Sequence, residues 1–253
     1  MYRTDLDVIK GISIIAVVLF HMGLLKTGYL GVDAFFVING FLVIPSVYEG
    51  ILENRFSFIG FMVKRTVRLL PLIVLASALS LVLGYFLMMP DHYENLSQSV
   101  IAACAMSTNI LSSITTRNYW NMVNDYKPLM HLWYVGILFE FYIVVPMILL
   151  TANKIARICN VDRASCMKAA LGAVTTLSFI LFLSPNSIVG DKFYLLTTRF
   201  FEIGLGGIMC LYSSKLKLNF GGGITHGLLP FSFAYSDVHS IRSLQIQMLY
   251  PRL

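Results

Sequence analysis

The chain has 253 residues, of which 57% are hydrophobic and only 13% charged, with a mean hydropathy of +0.74. A soluble domain carries roughly 25% charged residues, so soluble globular, disordered and fibrous classes are excluded and an integral membrane protein remains. The net charge of +6 is spread over short basic clusters beside apolar runs. No basic face with interleaved aromatics appears, so the partner these charges indicate is a lipid bilayer and not a nucleic acid.

At about 20 apolar residues per crossing, this length holds roughly six to eight helices. The apolar runs predict an all-α, polytopic transmembrane helix bundle of about seven segments. The first lies at about 8–25, behind the polar residues Arg3, Asp5, Asp7 and Lys10, with no small-residue cleavage site after it. It is expected to be a retained helix and not a removed signal. The second lies at about 32–48, and a polar stretch at 49–68 ends in Lys64, Arg65 and Arg68. The third, about 69–89, has no charge from Leu72 to Met89. The fourth, about 97–114, is weaker and rich in Ser, Thr and Asn. After a polar, aromatic stretch at 115–131 come segments at about 132–151, 169–184 and 193–214, with the basic loop 152–168 between the first two.

Residues 1–218 are read as the membrane domain. From 219 to 253 the chain is polar, opens with Gly221-Gly222-Gly223 and holds no run long enough to cross, so a disordered, interfacial or out-of-frame tail is expected. Lys and Arg mark cytoplasmic ends. They place the N-terminus, the 64–68 cluster and the 152–168 loop in the cytoplasm and the turn near Lys26 outside. A full crossing by 97–114 conflicts with that parity, so either this stretch re-enters or the charge rule fails once.

Ionisable residues inside apolar runs each cost about 2.5–3.5 kcal/mol on insertion scales, which makes them the informative positions. Lys10 and His21 are eleven residues apart, roughly 20° from eclipsed and about 16 Å apart on a helix, so they share a face. Lys10 reads either as an interfacial anchor paired with Asp7 or as an inner cation. His21 reads either as a packing hydrogen bond or as a general base, the usual role of imidazole near neutral pH. Asp33 is either a helix N-cap or a polar group in the bundle. Asn39-Gly40 indicates either close helix contact or a cavity wall.

Lys64, Arg65 and Arg68 form either a positive-inside clamp or a cytoplasmic phosphate site. His131, Trp133 and Tyr134 open the fifth segment, and the two aromatics fit an interfacial belt. Glu140 sits eight residues into that segment. Arg199 and Glu202, at i and i+3, are expected to neutralise each other. Cys104, Cys159, Cys166 and Cys210 form no CxxC pair and are expected to be packing thiols, with neither a metal site nor a disulfide framework.

Five of these fragments, in order, resemble the membrane-bound acyltransferase-3 family, which includes bacterial O-acetyltransferases of surface polysaccharides. Leu6-Asp7-Val8-Ile9-Lys10-Gly11 followed by His21 is similar to the family's Leu-Asp-x-Leu-Arg-Gly and later His, with Lys10 for Arg. Gly31-Val32-Asp33-Ala34-Phe35-Phe36 through Asn39-Gly40-Phe41 is similar to Gly-Val-Asp-x-Phe-Phe-x-x-Ser-Gly-Phe, with Asn39 for Ser. Lys64-Arg65 with Arg68 and Pro71 matches Arg-Arg-x-x-Arg-Ile-x-Pro. His131-Leu132-Trp133 with Glu140-Phe141-Tyr142 matches His-x-Trp-Ser-Leu-x-x-Glu-Glu-Gln-Phe-Tyr, although Leu138 and Phe139 replace two glutamates and Glu140 takes the Gln place. Arg199, Glu202 and Gly206 match Arg-x-x-Glu-x-x-x-Gly.

The resemblance covers about 3–210. It implies an enzyme of the bacterial inner membrane that moves an acyl group, in most cases acetyl, from cytosolic acyl-CoA to a hydroxyl of an exported glycan. Acyl-CoA is then a co-substrate, and no cofactor is permanently bound. Under this resemblance His21, Glu140 and Asp33 carry catalysis, and Lys10, Arg65 and Arg68 hold the donor. Asn39, His131, Trp133, Arg199 and Glu202 shape the substrate cavity. Family members have about ten spans, so the resemblance also implies a chain cut short near 215. The competing readings are a transporter or flippase built on the same buried polar residues, and an inactive remnant of the acyltransferase.

Overall fold

The computed structural model describes residues 4–115, 127–184 and 192–213. The expected tail at 219–253 lies outside the described residues, as does most of the polar stretch at 115–131. Among the described residues the chain forms eight α-helices and no strand. They are α1 (Thr4–His21), α2 (Leu30–Leu52), α3 (Phe58–Leu87), α4 (Pro90–Cys104), α5 (Thr108–Thr115), α6 (Trp133–Ile158), α7 (Arg163–Leu183) and α8 (Leu196–Ser213). A short 3-10 turn, Met130–Leu132, leads into α6.

Four helices, α2, α3, α6 with its leading turn, and α7, are long and apolar enough to cross a membrane. The chain is therefore a multi-pass, all-α membrane protein. The helices at α1 and α8 have 18 residues each and carry ions.

Two boundaries differ from the expected ones for one physical reason. The third helix starts at Phe58 instead of 69 and takes in Lys64, Arg65 and Arg68. The basic loop 152–168 shrinks to residues 159–162, because α6 runs on to Ile158 and α7 starts at Arg163. Lys, Arg and Ala are good helix formers, so a helix continues past the apolar run that fits the hydrocarbon. Ser57 caps α3 by accepting from the Gly60 N–H. Asp162 caps α7 by accepting from the Ser165 N–H at 2.7 Å, and the hydrogen bonds from Ser165 hold its exposed carboxyl below the usual carboxylate range.

The fourth expected segment is a broken pair. The break at Ala105–Ser107 separates α4 from α5, with Met106 in the left-handed region at φ +52°. At 15 and 8 residues, neither helix reaches the roughly 20 residues a crossing needs. The conflict of parity is resolved by what sits at each end of the bundle. At one end Arg157 donates to Asn54, while Arg163 donates to the Ile51 carbonyl at 2.9 Å and to Asn153 at 2.6 Å. The α6–α7 turn thus meets the α2–α3 turn. At the other end the ring of His21, closing α1, meets His131 at the entrance to α6. Since α3 leaves the Asn54 end and α6 returns to it, the end of α3 and the start of α6 lie at the same end of the bundle, and neither α4 nor α5 crosses.

The core lies between α2, α6, α7 and α8, where Phe36, Ile44, Ile137, Phe141, Leu171 and Ile203 are buried. Two glycines let α2 and α8 touch backbone to backbone. Gly40 faces the Ile203 carbonyl and Gly206 faces that of Val37, and a methyl at either would overlap the oxygen. The first helix covers part of α2. A smaller cluster of Ile73, Leu96, Ala103, Met106 and Leu129 joins α3 and α4 to the start of α6. Much of α3 remains exposed and apolar, including Leu72, Leu75, Tyr85 and Phe86, as befits a face whose solvent is lipid.

Candidate active site

The polar residues singled out in the sequence fall into neighbouring groups along α6. The first is the imidazole pair. The His21 and His131 rings, 110 positions apart in sequence, are 4.6 Å apart by centroid and nearly perpendicular at 87°. Nδ1 of His21 lies 2.8 Å from the Val17 carbonyl. A carbonyl only accepts, so Nδ1 carries a hydrogen, and in the neutral ring Nε2 is the basic nitrogen. Both rings are exposed at the end of the bundle, and Phe20 sets its edge against His21 at 5.2 Å. Lys10 stands about three turns back along α1, pairs with Asp7 at 3.4 Å and does not approach the imidazoles.

The second group is a buried ionic cluster. One guanidinium nitrogen of Arg199, Nη1, binds Glu202 at 2.8 Å and Asp33 at 3.0 Å. All three side chains are buried, and Arg199 is only 2% exposed. The expected Arg199–Glu202 pair is present, but it is half of a three-membered cluster that ties α8 to α2. The N-cap reading of Asp33 does not hold. Tyr29 occupies the cap position, while Asp33 lies inside the first turn and faces Arg199. The Arg199 guanidinium also donates from Nε to the Phe193 carbonyl and lies over the Phe193 and Trp133 rings at 4.8 and 5.9 Å.

Trp133 is the hub of the region. It is 3% exposed and packs on Phe36, Phe193 and Tyr194. It is therefore a core residue and not the interfacial belt residue its position suggested. Tyr134, half-buried beside it, accepts from Asn39 Nδ2 at 2.9 Å and rests on Phe36. Asn39 also donates to the Phe35 carbonyl in its own helix, so it serves helix contact.

Glu140, half-buried, accepts from Asn109 Nδ2 at 2.9 Å. The same amide donates to the Tyr194 carbonyl at 3.2 Å. Neither Asn109 nor Tyr194 stood out in the sequence. The one available signal was the density of Ser, Thr and Asn in 97–114, which marks polar backbone that must be covered by protein. Arg65 stacks on Phe61 and Tyr142 at 5.3 and 5.0 Å, and Arg68 is exposed. Tyr142 on α6 lies eleven residues, about 16 Å, beyond His131 in the turn that leads into it, so the arginines and the imidazoles occupy different depths.

A cavity of about 570 Å³ opens between α1, α2 and the start of α3, lined by Leu6, Phe41, Pro45, Ser46, Glu49 and Phe61 among others. It adjoins Arg65 through Phe61 but reaches none of His21, His131 and Glu140. Among the described residues no three His, Cys, Asp or Glu side chains gather as a metal site. The four cysteines form no disulfide there; Cys166 is half-buried and packs against the core as expected, Cys210 is half-buried, and Cys104 and Cys159 are exposed and so do not serve packing.

The chain's similarity to known proteins fits this architecture. The family model for the acyltransferase domain (Acyl_transf_3) matches residues 3–232. A Staphylococcus aureus protein named "Putative O-acetyltransferase SAS0844" is 28% identical over 229 residues, covering 86% of this chain and 36% of that protein. A Komagataeibacter xylinus protein named "Putative membrane-bound transacylase BcsY" is 30% identical over 144 residues, 56% of this chain and 36% of its own length. A Haemophilus influenzae protein with no activity in its name is 24% identical over 200 residues, 74% of this chain and 78% of that one. The alignments thus take in about a third of the two relatives named for acyl transfer. No solved structure matches the chain. With a family match over nearly its whole length, the chain belongs to the acyltransferase-3 family.

Proposed function

We propose that this chain is the membrane part of an O-acyltransferase of the bacterial inner membrane, with its N-terminus in the cytoplasm. In this reading acyl-CoA, as acetyl-CoA, is the donor and a hydroxyl of an exported glycan is the acceptor. The single observation that carries it is the imidazole pair. His21 has Nδ1 engaged and Nε2 unencumbered, and it faces His131 at the end of the bundle opposite the basic turn.

The chemistry assigned to this arrangement balances simply. Nε2 of His21 takes the proton of the acceptor hydroxyl as its oxygen attacks the thioester carbonyl. A C–O bond forms, the C–S bond breaks, and the departing thiolate takes the proton from the imidazolium. General-base assistance of this kind is worth about 10²–10⁴-fold. His131 holds the His21 ring edge-on. Glu140 accepts a hydrogen bond from the bound acceptor and orients it. The donor's phosphates bind at Arg65 and Arg68, in the geometry guanidinium groups use for phosphate, and Lys10 assists from α1. Asp33 and Glu202 share the single Arg199 guanidinium, so the role of the cluster here is to hold α2 and α8 around Trp133.

The depth difference between Arg65 and His131 supports this assignment, since a donor from one side must meet an acceptor from the other. The test is transfer of labelled acetyl from acetyl-CoA to glycan by inverted membrane vesicles containing the chain. CoA-dependent label in the glycan fraction is expected. No label above that of vesicles lacking the chain overturns the proposal.

A further inference from the structure

Asn109 is 1% exposed and is the second residue of α5. Its amide nitrogen spends both hydrogens, one on Glu140 Oε1 at 2.9 Å and one on the Tyr194 carbonyl at 3.2 Å. The opposite amide orientation would aim Oδ1 at two acceptors, so the chemistry of the partners fixes which way the group points. The consequence is an orphan. Oδ1 of Asn109 is buried and receives no hydrogen bond. It lies against Gly136 of α6, in space that a Cβ at that position would occupy.

A buried acceptor without a donor is rare and costly. For packing alone, an apolar side chain of the same shape would fill the junction of α5, α6 and the segment before α8 without that cost. Anchoring of α5 does not depend on Asn109 either, since Thr108 next to it donates to the Leu132 carbonyl at 2.7 Å, in the turn that carries His131. What an amide supplies here and an apolar group cannot is a donor pointed at one oxygen of Glu140, leaving the other oxygen available.

We propose that Asn109 is a positioning residue for Glu140, fixing its carboxylate in one rotamer as a hydrogen-bond acceptor for the substrate hydroxyl. Gly136 is the paired requirement, because only a glycine leaves room for the amide in that orientation. The inference rests on the orienting role given to Glu140 above.

Five variants of the full chain decide it (Asn109→Leu, Glu140→Ala, the two combined, Gly136→Ala and Glu140→Gln), assayed for acetyl transfer and by infrared difference spectroscopy. Asn109→Leu keeps the volume and removes both donors. It is expected to lower kcat about 10-fold or more with KM unchanged, the signature of lost orientation. In a Glu140→Ala background the same substitution is expected to change kcat by less than about 2-fold, since its effect passes through the missing carboxylate. Gly136→Ala, which removes no hydrogen-bonding group, is expected to reproduce this pattern and guards against misfolding of the leucine variant. The carboxylate stretch assigned to Glu140 by its loss in Glu140→Gln should shift in Asn109→Leu.

A multiplicative loss in the Glu140→Ala background overturns the proposal, because it makes Asn109 a structural residue independent of Glu140. An unshifted carboxylate band overturns it too, and that arm is decisive even if the chain transfers no acyl group. Parent activity in Glu140→Ala would instead remove the role of Glu140 itself and, with it, the reason for this one.

Discussion

Replacing Arg199 by leucine is the sharpest test of how the bundle is held. The guanidinium serves two carboxylates through a single nitrogen, at 2.8 and 3.0 Å, and the cluster has a formal charge of −1. Without the cation, Asp33 and Glu202 are left facing each other at 7% and 4% exposure. Removing one partner of a buried ion pair costs about 3–5 kcal/mol, chiefly through the uncompensated charge that stays behind. The lost bond to the Phe193 carbonyl adds about 1 kcal/mol. Total stabilities are only about 5–15 kcal/mol, so Arg199→Leu consumes a large share.

Asp33→Asn makes the contrast. It leaves a neutral Arg199–Glu202 pair and weakens one charged hydrogen bond, for about 1–2 kcal/mol. In detergent, a loss of 3–5 kcal/mol lowers the thermal unfolding midpoint by about 6–20 °C for a chain of this size. Combining Arg199→Leu with Asp33→Asn and Glu202→Gln removes the stranded charges and is expected to recover much of that loss. An Arg199→Leu midpoint within about 2 °C of the parent would refute the reasoning. So would a triple variant no better than the single one.

Two further outcomes are expected. Gly206→Ala drives a methyl into the Val37 carbonyl and costs about 1–3 kcal/mol by overpacking, whereas Gly172→Ala, with nothing within 4 Å, is neutral or slightly stabilising; unfolding midpoints compare the two. In a chain whose native cysteines are replaced by serine, Asn54→Cys and Arg157→Cys should react with an impermeant maleimide from the same side of the membrane, and Lys26→Cys from the other. Labelling of positions 157 and 26 from one side would mean that α3 ends and α6 starts on opposite sides of the membrane.

The sequence made the helices legible because hydropathy and helix formation respond to the same apolar runs. It was less informative about their ends, since Lys64, Arg65 and Arg157 continue a helix after the apolar run stops. The break at Met106 carried no glycine or proline to announce it, yet the polar composition around it and the charge parity together flagged that stretch as abnormal. Of the site, the ionisable residues were visible one by one, because a charge in an apolar run is costly wherever it sits.

Their partners were not visible. Asp33 and Arg199 are 166 positions apart, and nothing local in either segment names the other. Trp133 looked like an interfacial aromatic because its position in the run matched that role, and only the packing of α2 and α8 buries it. Asn109 is an ordinary polar residue until Glu140 and the Tyr194 carbonyl are brought to its amide.

The most direct measurement compares initial rates of acetyl transfer to glycan by the parent and by His21→Gln, in vesicles with matched amounts of folded protein. Glutamine can still donate toward the Val17 carbonyl, but it offers no base where Nε2 stood. Loss of the base predicts a rate at least about 10²-fold lower. A His21→Gln rate equal to the parent's would contradict the proposed chemistry, whatever the family relationship.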